Sequence, residues 1–433
     1  MKSNFGNCIS RWERQGNKIN WLILVINILR LLISLRLLYM DPVKNPFSPW
    51  AGTPPPALMG RTQFIDEFKT GLNRTLACRP WQSIMPVWLR WVWKTVLLNH
   101  LIDIAEKQWV KTSLIETPED SDFPRIIINE SRKLLLNLDK NWAVSEKVKY
   151  ALRVLKSFSL SFWWIEAKID LDPEAWVADS GIFENDIRDM FVALWEAAKS
   201  RNTAVLIAID EVQYLSENYF SALISAIHRT VQLQLPIMVV GTWLPQILWL
   251  AWNAKSYAER LFRFPRIDPL NKEEAMLAIR NPIEEQGMQI DQDALDSIFE
   301  VSHGYPYFLQ EWWYAAWNHS DGPRISQQDI IDLYEIVLSK LDSNFFRVRY
   351  DRLTPSERKY LRAMSELWPW PHRSWDIAKK YWAKVESTAP IRSMLISKGM
   401  IYSPAHGDTW FTVPMFDEFM KRIMPKWPPG HVE

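Results

Sequence analysis

The chain has 433 residues, which is long enough for two or three domains, and its 48% hydrophobic and 23% charged residues exclude an intrinsically disordered protein. The formal net charge of +1 excludes an overall basic field that would attract nucleic acid or anionic lipid, so any basic surface must be local. Two cysteines, Cys8 and Cys78, exclude a disulfide framework and a cysteine-based metal site, and they favour a cytoplasmic location.

The first apolar segment spans residues 19–39 and is interrupted by Asn27, Arg30 and Arg36. A membrane helix needs about 20 apolar residues, and cations are costly at the centre of a bilayer, so we expect no membrane partner. A signal peptide is the alternative, because basic residues precede the segment, although no small-residue cleavage site follows it. We expect instead that translation begins at Met40, that residues 1–39 are not native, and that a proline-rich lead-in follows.

Strands and helices are predicted to alternate over the next part of the chain. Ser83–Val87 has the composition of a short strand, weakened by Pro86, which cannot donate a hydrogen bond within a sheet. A two-residue alternation over 157–171 predicts a β-hairpin with Trp163-Trp164 at its turn. Helical spacing of apolar residues predicts helices over 94–106, 126–138, 145–156 and 184–199.

Two continuous apolar runs, Ala204–Ile209 and Pro236–Val240, predict buried parallel strands, with a helix over 218–232 between them. This alternation favours an α/β fold built on a parallel sheet. Three further helices, predicted over 272–287, 292–302 and 305–318, are typical of a helical lid.

Near residue 340 the pattern changes, and it predicts a winged helix-turn-helix. Three helices begin at Thr354, Ser374 and Ser387, and two short strands follow with a turn at 406–408. Thr354-Pro-Ser-Glu357 is a capping box with proline at the first helical position, and Gly399 closes the third helix.

Residues 88–95 read Trp88-Leu-Arg-Trp91-Val-Trp93-Lys94-Thr95, between a predicted strand and a predicted helix. The Walker A loop reads G-x-x-x-x-G-K-[ST], and its backbone N–H groups bind the phosphates of a nucleotide. Lys94 and Thr95 fit the end of this motif, whereas Trp88, Trp91 and Trp93 occupy glycine places. Because the loop must turn at positive φ beside phosphate oxygens, the sequence as printed predicts a blocked loop. A chance Lys-Thr pair before a helix is the alternative.

The strand Val205–Ile209 followed by Asp210-Glu211 matches a Walker B pattern. In such a site Asp210 and Thr95 would hold Mg²⁺, and Glu211 would orient or deprotonate the attacking water. A buried strand with an acidic loop is the alternative interpretation. Thr242 follows the next strand, where a polar residue could sense the γ-phosphate.

Several segments resemble AAA+ ATPases of the origin-recognition and STAND type. Leu58-Met-Gly60-Arg61 is similar to the segment that contacts adenine in those proteins, and Gly304-Tyr-Pro306 is similar to the adenine-side motif of the STAND lid. Residues 257–270 resemble the arginine-bearing stretch after the sensor strand, which makes Arg260 a candidate arginine finger, or else a salt-bridged helix arginine. The region 46–425 resembles a bacterial and archaeal AAA-type ATP-binding protein with a C-terminal winged helix.

This resemblance implies ATP and Mg²⁺ as ligands, ATP hydrolysis, and a P-loop core that carries a helical lid and a winged helix. It assigns catalysis to Glu211 and Arg260, and it allows a homo-oligomer. The expected ATP-binding residues are Gly60, Arg61, Trp88, Trp91, Trp93, Lys94, Thr95, Thr242, Gly304 and Pro306. The expected parts are the core, 40–270; the lid, 271–339; the winged helix, 340–425; and a tail, 426–433. The alternative is a nucleotide-free scaffold, or a DNA- or protein-binding module, with a degenerate loop.

Tryptophan and glycine occur in unusual numbers, 25 and 13, so glycine makes up about 3% of the chain instead of the usual 7% or so. Besides the loop, tryptophan stands at turn-like places, whereas Trp312 and Trp317 fit an amphipathic helix. The turn-like places are Trp50, Trp163-Trp164, Trp243, Trp368 and Trp370. Some bacterial lineages read the UGA codon as glycine, and a translation that reads UGA as tryptophan would produce this pattern. The rival hypothesis is a degenerate paralogue that has lost ATP binding.

The partner of the winged helix is left open between DNA and protein. Its third helix carries Arg392 and Lys398 but no strong basic run. If the partner is DNA, we expect these two residues, with Arg373 and Lys384, to contact phosphates weakly and with a shallow salt dependence.

Overall fold

The protein is described from a computed structural model, which covers residues 40–50, 52–88, 94–118, 122–138, 146–161, 171–243, 258–367, 371–405 and 407–427. The apolar run 19–39 and the predicted turn at Trp163-Trp164 lie outside these residues. Within the described ranges, no helix is both long enough and apolar enough to cross a membrane.

A five-stranded parallel sheet forms the centre of the molecule. Its strands run in the order β3-β4-β5-β1-β6, where β1 is Ser83–Ile84, β3 is Lys111–Glu116, β4 is Val205–Asp210, β5 is Ile237–Gly241 and β6 is Phe262–Arg263. The register pairs Glu116 with Asp210 and Ile209 with Gly241. The carboxyl ends of three neighbouring strands are therefore nearly level, at the edge where α/β proteins bind their ligands.

Helices cover both faces of this sheet, and the strand residues alternate between two cores. Leu206 and Ala208 of β4 pack with α1 (Thr62–Leu76) and α2 (Lys94–Lys107). Val205, Ile207 and Ile209 belong to the other core. The helices of that second face are α3 (Phe123–Leu138), α4 (Glu146–Ser161), α5 (Phe183–Ser200) and α6 (Glu217–Gln232). Burial on both faces explains why β4 and β5 read as unbroken apolar runs.

The predicted hairpin over 157–171 is wrong in its first arm, because α4 continues to Ser161. Phe158 is fully buried and lies at helical spacing from Leu155 and Ala151, which belong to the same core. The 3.6-residue period therefore prevails here over the two-residue alternation. Residues 162–170 are outside the described part of the chain.

The predicted strand Ser83–Val87 is divided in two. β1 ends at Ile84, and a separate strand, β2 (Val87–Trp88), pairs in parallel with β7 (Arg266–Ile267). Pro86 stands between β1 and β2 and has no N–H group to continue a ladder. A short helix, α7 (Ala258–Leu261), precedes β6.

The lid contains the three predicted helices and a fourth that the sequence analysis did not assign. They are α8 (Lys272–Glu285), α9 (Gln292–Ser302), α10 (Pro306–His319) and α11 (Gln327–Leu341), with β8 (Gln289–Ile290) and β9 (Arg324–Ile325) as a parallel pair. Capping boxes begin α8 and α11. Trp312 and Trp317 are fully buried in the lid, as expected.

Residues 40–48, which we call the strap, pack against α10 although they lie far from it in the sequence. Trp317 Nε1 donates to the carbonyl oxygen of Asp41 at 2.9 Å. The rings of Phe47 and Trp313 lie 6.1 Å apart, and Phe47 is buried. The strap is therefore part of the lid core.

Beyond α11 the chain passes through a π-helical turn, Asp342–Phe346, and α12 (Arg347–Asp351) into a winged helix-turn-helix. Its three helices are α13 (Pro355–Ser365), α14 (Ser374–Tyr381) and α15 (Val385–Ser397), followed by α16 (Phe416–Ile423). A three-stranded antiparallel sheet, in the order β10 (His372–Arg373), β12 (Asp408–Phe411), β11 (Ile401–Tyr402), forms the wing. The Thr354–Glu357 capping box is present, and Gly399 ends α15 at φ +64°.

Candidate functional site

The predicted site residues from the core converge at the carboxyl edge of the sheet. Asp210 is the last residue of β4, Thr242 directly follows β5, and Lys94 and Thr95 begin α2. A helix N-terminus beside strand ends offers free N–H groups and a partial positive charge, which favours anions.

Asp210 lies at the centre of this group and is 5% exposed. Its Oδ2 accepts a hydrogen bond from Thr95 Oγ1 at 2.6 Å. The Thr242 hydroxyl donates to the other carboxylate oxygen, Oδ1. Asp210 is thereby held by one hydroxyl from the helix and one from the residue after the neighbouring strand, and these hydrogen bonds compensate its charge.

Lys94 and Glu211 form an ion pair beside Asp210. Lys94 Nζ lies 2.9 Å from Glu211 Oε1, and the two side chains are 9% and 37% exposed. The ammonium group of Lys94 is thus directed across the end of the sheet towards the acidic pair, at the start of α2.

Glu211 has a left-handed backbone conformation, with φ 56° and ψ 46°. A non-glycine residue in this region costs roughly 1–3 kcal/mol and persists only where its surroundings fix it. The Glu211 N–H donates to Asp210 Oδ1 at 3.0 Å and to Thr242 Oγ1 at 3.2 Å. Its carbonyl oxygen accepts from Thr117 Oγ1 at 2.6 Å. The direction of the Glu211 side chain is therefore set by a hydrogen-bonded network on three strand ends.

Two residues of this network were not identified from the sequence. Thr117 follows β3 and also contacts the carbonyl oxygen of Asp210 at 2.7 Å. Gln213 Nε2 donates to Glu211 Oε2. Gln213 could have been identified from the sequence, because it lies two residues after the acidic pair. Thr117 could not, because it reaches the acidic pair only through the pairing of β3 with β4, which was not predicted.

On the lid side, Gly60 and Gly304 pack around Leu270. Gly304 has φ +66°, its carbonyl oxygen accepts from Leu270 N at 2.9 Å, and a Cβ on it would lie 2.0 Å from the Leu270 carbonyl oxygen. Gly60 has φ +69°, and a Cβ there would lie 2.7 Å from the Leu270 side chain. A side chain at either position would clash with Leu270, which explains why both residues are glycine. The same contacts bring the two predicted adenine-side segments together at Leu270. Pro306 is buried at the first position of α10.

Arg61 is buried next to Gly60 and donates to the carbonyl oxygens of Gly60, at 3.1 Å, and Asp268, at 2.9 Å. Burial lowers the pKa of the Arg61 guanidinium below its ordinary value, while the nearby carboxylates of Glu274 and Asp268 act in the raising direction. Arg61 therefore ties the segment before α1 to the segment before α8.

Arg260 is not part of the acidic network. It lies on α7, its side chain is exposed, and its carbonyl oxygen accepts from Gln82 Nε2 at 2.9 Å. Among the described residues, no hydrogen bond or ion pair joins its guanidinium to Asp210 or Glu211.

The loop tryptophans lie largely outside the described residues. The backbone of Trp88 pairs with Ile267 in β2 and β7, whereas Trp91 and Trp93 fall in the range 89–93 that the structure does not describe.

Three other tryptophans have the left-handed backbone conformation that favours glycine. Trp109, Trp176 and Trp382 have φ of 62°, 64° and 55°, and they are 84%, 93% and 58% exposed. They are three of the ten non-glycine residues with positive φ in the described chain, although tryptophan is only about 6% of all residues. For a bulky residue this conformation is an outlier.

Two of these tryptophans end helices in the same way as glycines do elsewhere in the protein. After Trp109, Val110 N donates back to Ala105 O at 3.1 Å, and after Trp382, Ala383 N donates to Ala378 O at 3.1 Å. The same closure follows Gly287 and Gly399. It also occurs at Asn202 and Gln234, so glycine is favoured at such positions but not required.

Not every tryptophan chosen from the sequence fits the glycine interpretation. Trp243 is fully buried, and its ring lies 5.2 Å from that of Phe220 and 5.7 Å from that of Phe264. Trp243 and Trp50 are both absent from the described residues with positive φ. The backbone at these two positions therefore does not have the left-handed conformation that favours glycine. Trp368 and Trp370 lie outside the described part of the chain.

Most of the cations predicted to contact DNA are engaged within the winged helix. Arg392 donates to Thr409 Oγ1, Ser403 Oγ and the Asp408 carbonyl oxygen. Arg373 lies 3.2 Å from Asp408, and Lys398 lies 2.7 Å from Glu357. Lys384, the residue before α15, is exposed.

Comparison with known proteins agrees with this architecture. Residues 343–420 match a family model described as a domain of unknown function (DUF8462). No curated protein matches the chain. A Walker-type ATPase of Pyrococcus abyssi is similar in structure, with a TM-score of 0.51 and 14% identity over 86% of this chain and 100% of that chain.

Two further solved structures resemble the chain more distantly. Cdc6p from Pyrobaculum aerophilum has a TM-score of 0.44 and 12% identity, over 90% of this chain and 99% of that chain. The Aeropyrum pernix ORC1 protein in complex with DNA has a TM-score of 0.40 and 12% identity, over 86% and 95% of the two chains. At these identities the likeness concerns the fold alone: the parallel-sheet core of this chain, with its helical lid and C-terminal winged helix, is similar in structure to the Walker-type ATPase.

Proposed function

We propose that the protein is a nucleotide switch that binds Mg-ATP and hydrolyses it in a form whose phosphate-binding loop contains glycine at positions 88, 91 and 93. The observation that carries this proposal is the convergence of Lys94, Thr95, Asp210 and Glu211 through direct contacts of 2.6 and 2.9 Å. The two pairs, Lys94-Thr95 and Asp210-Glu211, lie more than 110 residues apart in the sequence, and their chemistry is that of phosphate and Mg²⁺ binding.

Thr95 and Asp210 are suited to hold Mg²⁺. A hydroxyl oxygen and a carboxylate oxygen are hard ligands, and Mg²⁺ is usually held by one or two protein oxygens together with phosphate and water. The described residues contain no group of three or more His, Cys, Asp or Glu side chains that would hold an ion without such help. When bound, Mg²⁺ would neutralise charge on the phosphates.

The ion pair between Lys94 and Glu211 supports a resting state, without nucleotide, in which the ammonium group of Lys94 binds the catalytic carboxylate of Glu211. Lys94 would leave Glu211 for the β- and γ-phosphate oxygens, which carry more negative charge than a carboxylate. Glu211 Oε1 would then be free to accept a proton from the attacking water. In this way, binding of the phosphates to Lys94 would release Glu211 to act as the base.

The proposal that positions 88, 91 and 93 are glycine in the native protein is supported by the exposed tryptophans at positive φ. Trp109, Trp176 and Trp382 show that tryptophan occurs at backbone positions typical of glycine outside the loop as well. Reading of UGA codons as glycine in the native protein would account for these positions and for the loop together. The rival proposal is a nucleotide-free scaffold, and the two differ in the residues present at 88, 91 and 93.

The remaining roles are proposed from the positions of the residues in the fold. Gly60, Arg61, Gly304 and Pro306 would form the adenine side, because Leu270 brings their segments together. Arg260 would act on the ATP of a neighbouring copy in a homo-oligomer, because its side chain is exposed beside the edge strand β6. We also propose the boundaries 40–270, 271–339 and 340–425 for the core, the lid and the winged helix.

Calorimetric titration of Mg-ATP into four versions of the full chain tests the proposal. We expect no binding by the chain as printed, and binding after Trp88→Gly, Trp91→Gly and Trp93→Gly are introduced together. Lys94→Ala in the restored chain should abolish binding, whereas Glu211→Gln should bind ATP and retain only a small residual turnover. If the restored loop does not bind ATP, the ATPase proposal fails and the scaffold proposal stands.

A further inference from the structure

The carboxylate of Glu211 is held at both of its oxygens. Lys94 Nζ contacts Oε1 at 2.9 Å, and Gln213 Nε2 donates to Oε2. Under the proposed function Lys94 is withdrawn by the phosphates, so the contact from Gln213 is the one that would persist during the reaction.

Gln213 lies in a turn whose backbone is fixed independently of its side chain. The turn Val212–Tyr214 begins immediately after Glu211, and Val212 is fully buried. Val212 N donates to Thr242 O at 3.0 Å, and Tyr214 N donates to Glu211 O at 3.1 Å. These backbone hydrogen bonds fix the turn, which directs the Gln213 side chain towards Glu211. Because the Gln213 side chain takes part in none of them, it can be replaced without removing a backbone contact.

The other end of the Gln213 amide has an unused acceptor. Its Oε1 is buried and accepts no hydrogen bond from any described residue. A buried acceptor without a donor is unfavourable, so the orientation of the amide is set by the contact between its N–H group and Glu211 and not by its oxygen.

We propose that Gln213 is a positioning residue for ATP hydrolysis: its side-chain N–H group holds the Glu211 carboxylate in the direction needed to accept a proton from the attacking water. This inference rests on the proposed function. Gln213 acts through Glu211, so it should affect turnover and not the affinity for ATP.

The test uses the full chain with glycine at 88, 91 and 93 as the parent, and it measures both the Kd for Mg-ATP by calorimetry and kcat by phosphate release. Gln213→Met keeps the length of the side chain and removes the amide. We expect kcat to fall about 10- to 100-fold, the usual effect of removing a residue that orients a catalytic group, with Kd changed less than twofold. Gln232→Ala is the matched control, because Gln232 is an exposed glutamine on the last turn of α6, and it should match the parent.

A double variant separates positioning from a purely structural role. In the Glu211→Gln background, Gln213→Met should lower the residual turnover no further, because the group that Gln213 orients has been removed. Unchanged kcat in Gln213→Met, or an equal loss of ATP affinity and turnover, would overturn the inference while leaving ATP hydrolysis by the parent intact. If the parent itself neither binds nor hydrolyses ATP, the proposed function fails and this inference falls with it.

Discussion

Replacement of the exposed tryptophans at positive φ by glycine should stabilise the protein, although it removes the largest side chain. The positions of choice are Trp109 and Trp176, which are 84% and 93% exposed and have little packing to lose. A left-handed conformation costs a non-glycine residue about 1–2 kcal/mol. Glycine adds about 0.5–1 kcal/mol of conformational freedom to the unfolded chain. The difference, about 0–1.5 kcal/mol, has a central value of about 0.75 kcal/mol of stabilisation per site.

The two sites lie on separate elements, so their effects should add, and the double variant should gain about 1–2 kcal/mol. Trp312→Gly is the control: Trp312 is fully buried within α10, and truncation of such a residue costs about 3–5 kcal/mol. Urea unfolding followed by far-ultraviolet circular dichroism measures both, and the decisive quantity is the sign of the change. If Trp109→Gly and Trp176→Gly unfold at lower urea than the parent, the reasoning from backbone conformation is wrong.

Three further predictions concern the lid, the acidic pair and the winged helix. Gly304→Ala should destabilise the protein by at least about 1–3 kcal/mol, because its Cβ would lie 2.0 Å from the Leu270 carbonyl oxygen; urea unfolding should show no such loss for Gly322→Ala, where nothing lies within 4 Å. In the glycine-restored chain, Thr117→Val should reduce ATP turnover about tenfold, since the Glu211 carbonyl oxygen loses one of its two donors, the other being Tyr214 N; turnover equal to that of the parent would contradict the role of this network. Duplex DNA should bind the full chain weakly, with a slope of log affinity against log salt no steeper than about −3, because Lys384 and its exposed neighbours Lys379 and Lys380 supply at most three phosphate contacts. A steep slope in a mobility-shift series would show that the ion pairs of Arg373 and Lys398 and the hydrogen bonds of Arg392 open on binding.

The buried strands and the lid could be predicted because their sequences carry strong local patterns. β4 and β5 are unbroken apolar runs between covered faces, and capping boxes mark the starts of helices such as α13. β3 was missed because it contains Lys111, Thr112 and Ser113, whose polar side chains are tolerated at the edge of the sheet. A pattern that depends on position in the sheet is not visible in the strand itself.

Only those residues of the candidate site that belong to local sequence motifs could be predicted. Lys94, Thr95, Asp210 and Glu211 belong to two short motifs, and the structure brings them into contact. Thr117 could not be found, because its role depends on the register of β3 beside β4. The hairpin over 157–171 was mistaken because alternating residues at the end of α4 satisfied a strand pattern that tertiary packing overrides.

The strap on the lid has a consequence for folding during synthesis. Asp41 and Trp317 are 276 residues apart in the chain, and ribosomes add roughly 5–20 residues each second. Roughly 14 to 55 s therefore separate the emergence of the strap from that of its partner helix, and during this time Phe47 has no lid to cover it. The central sheet can assemble within that interval, whereas the lid cannot be completed before α10 has left the ribosome. One of the earliest segments of the described chain to be made is thus among the last to be buried.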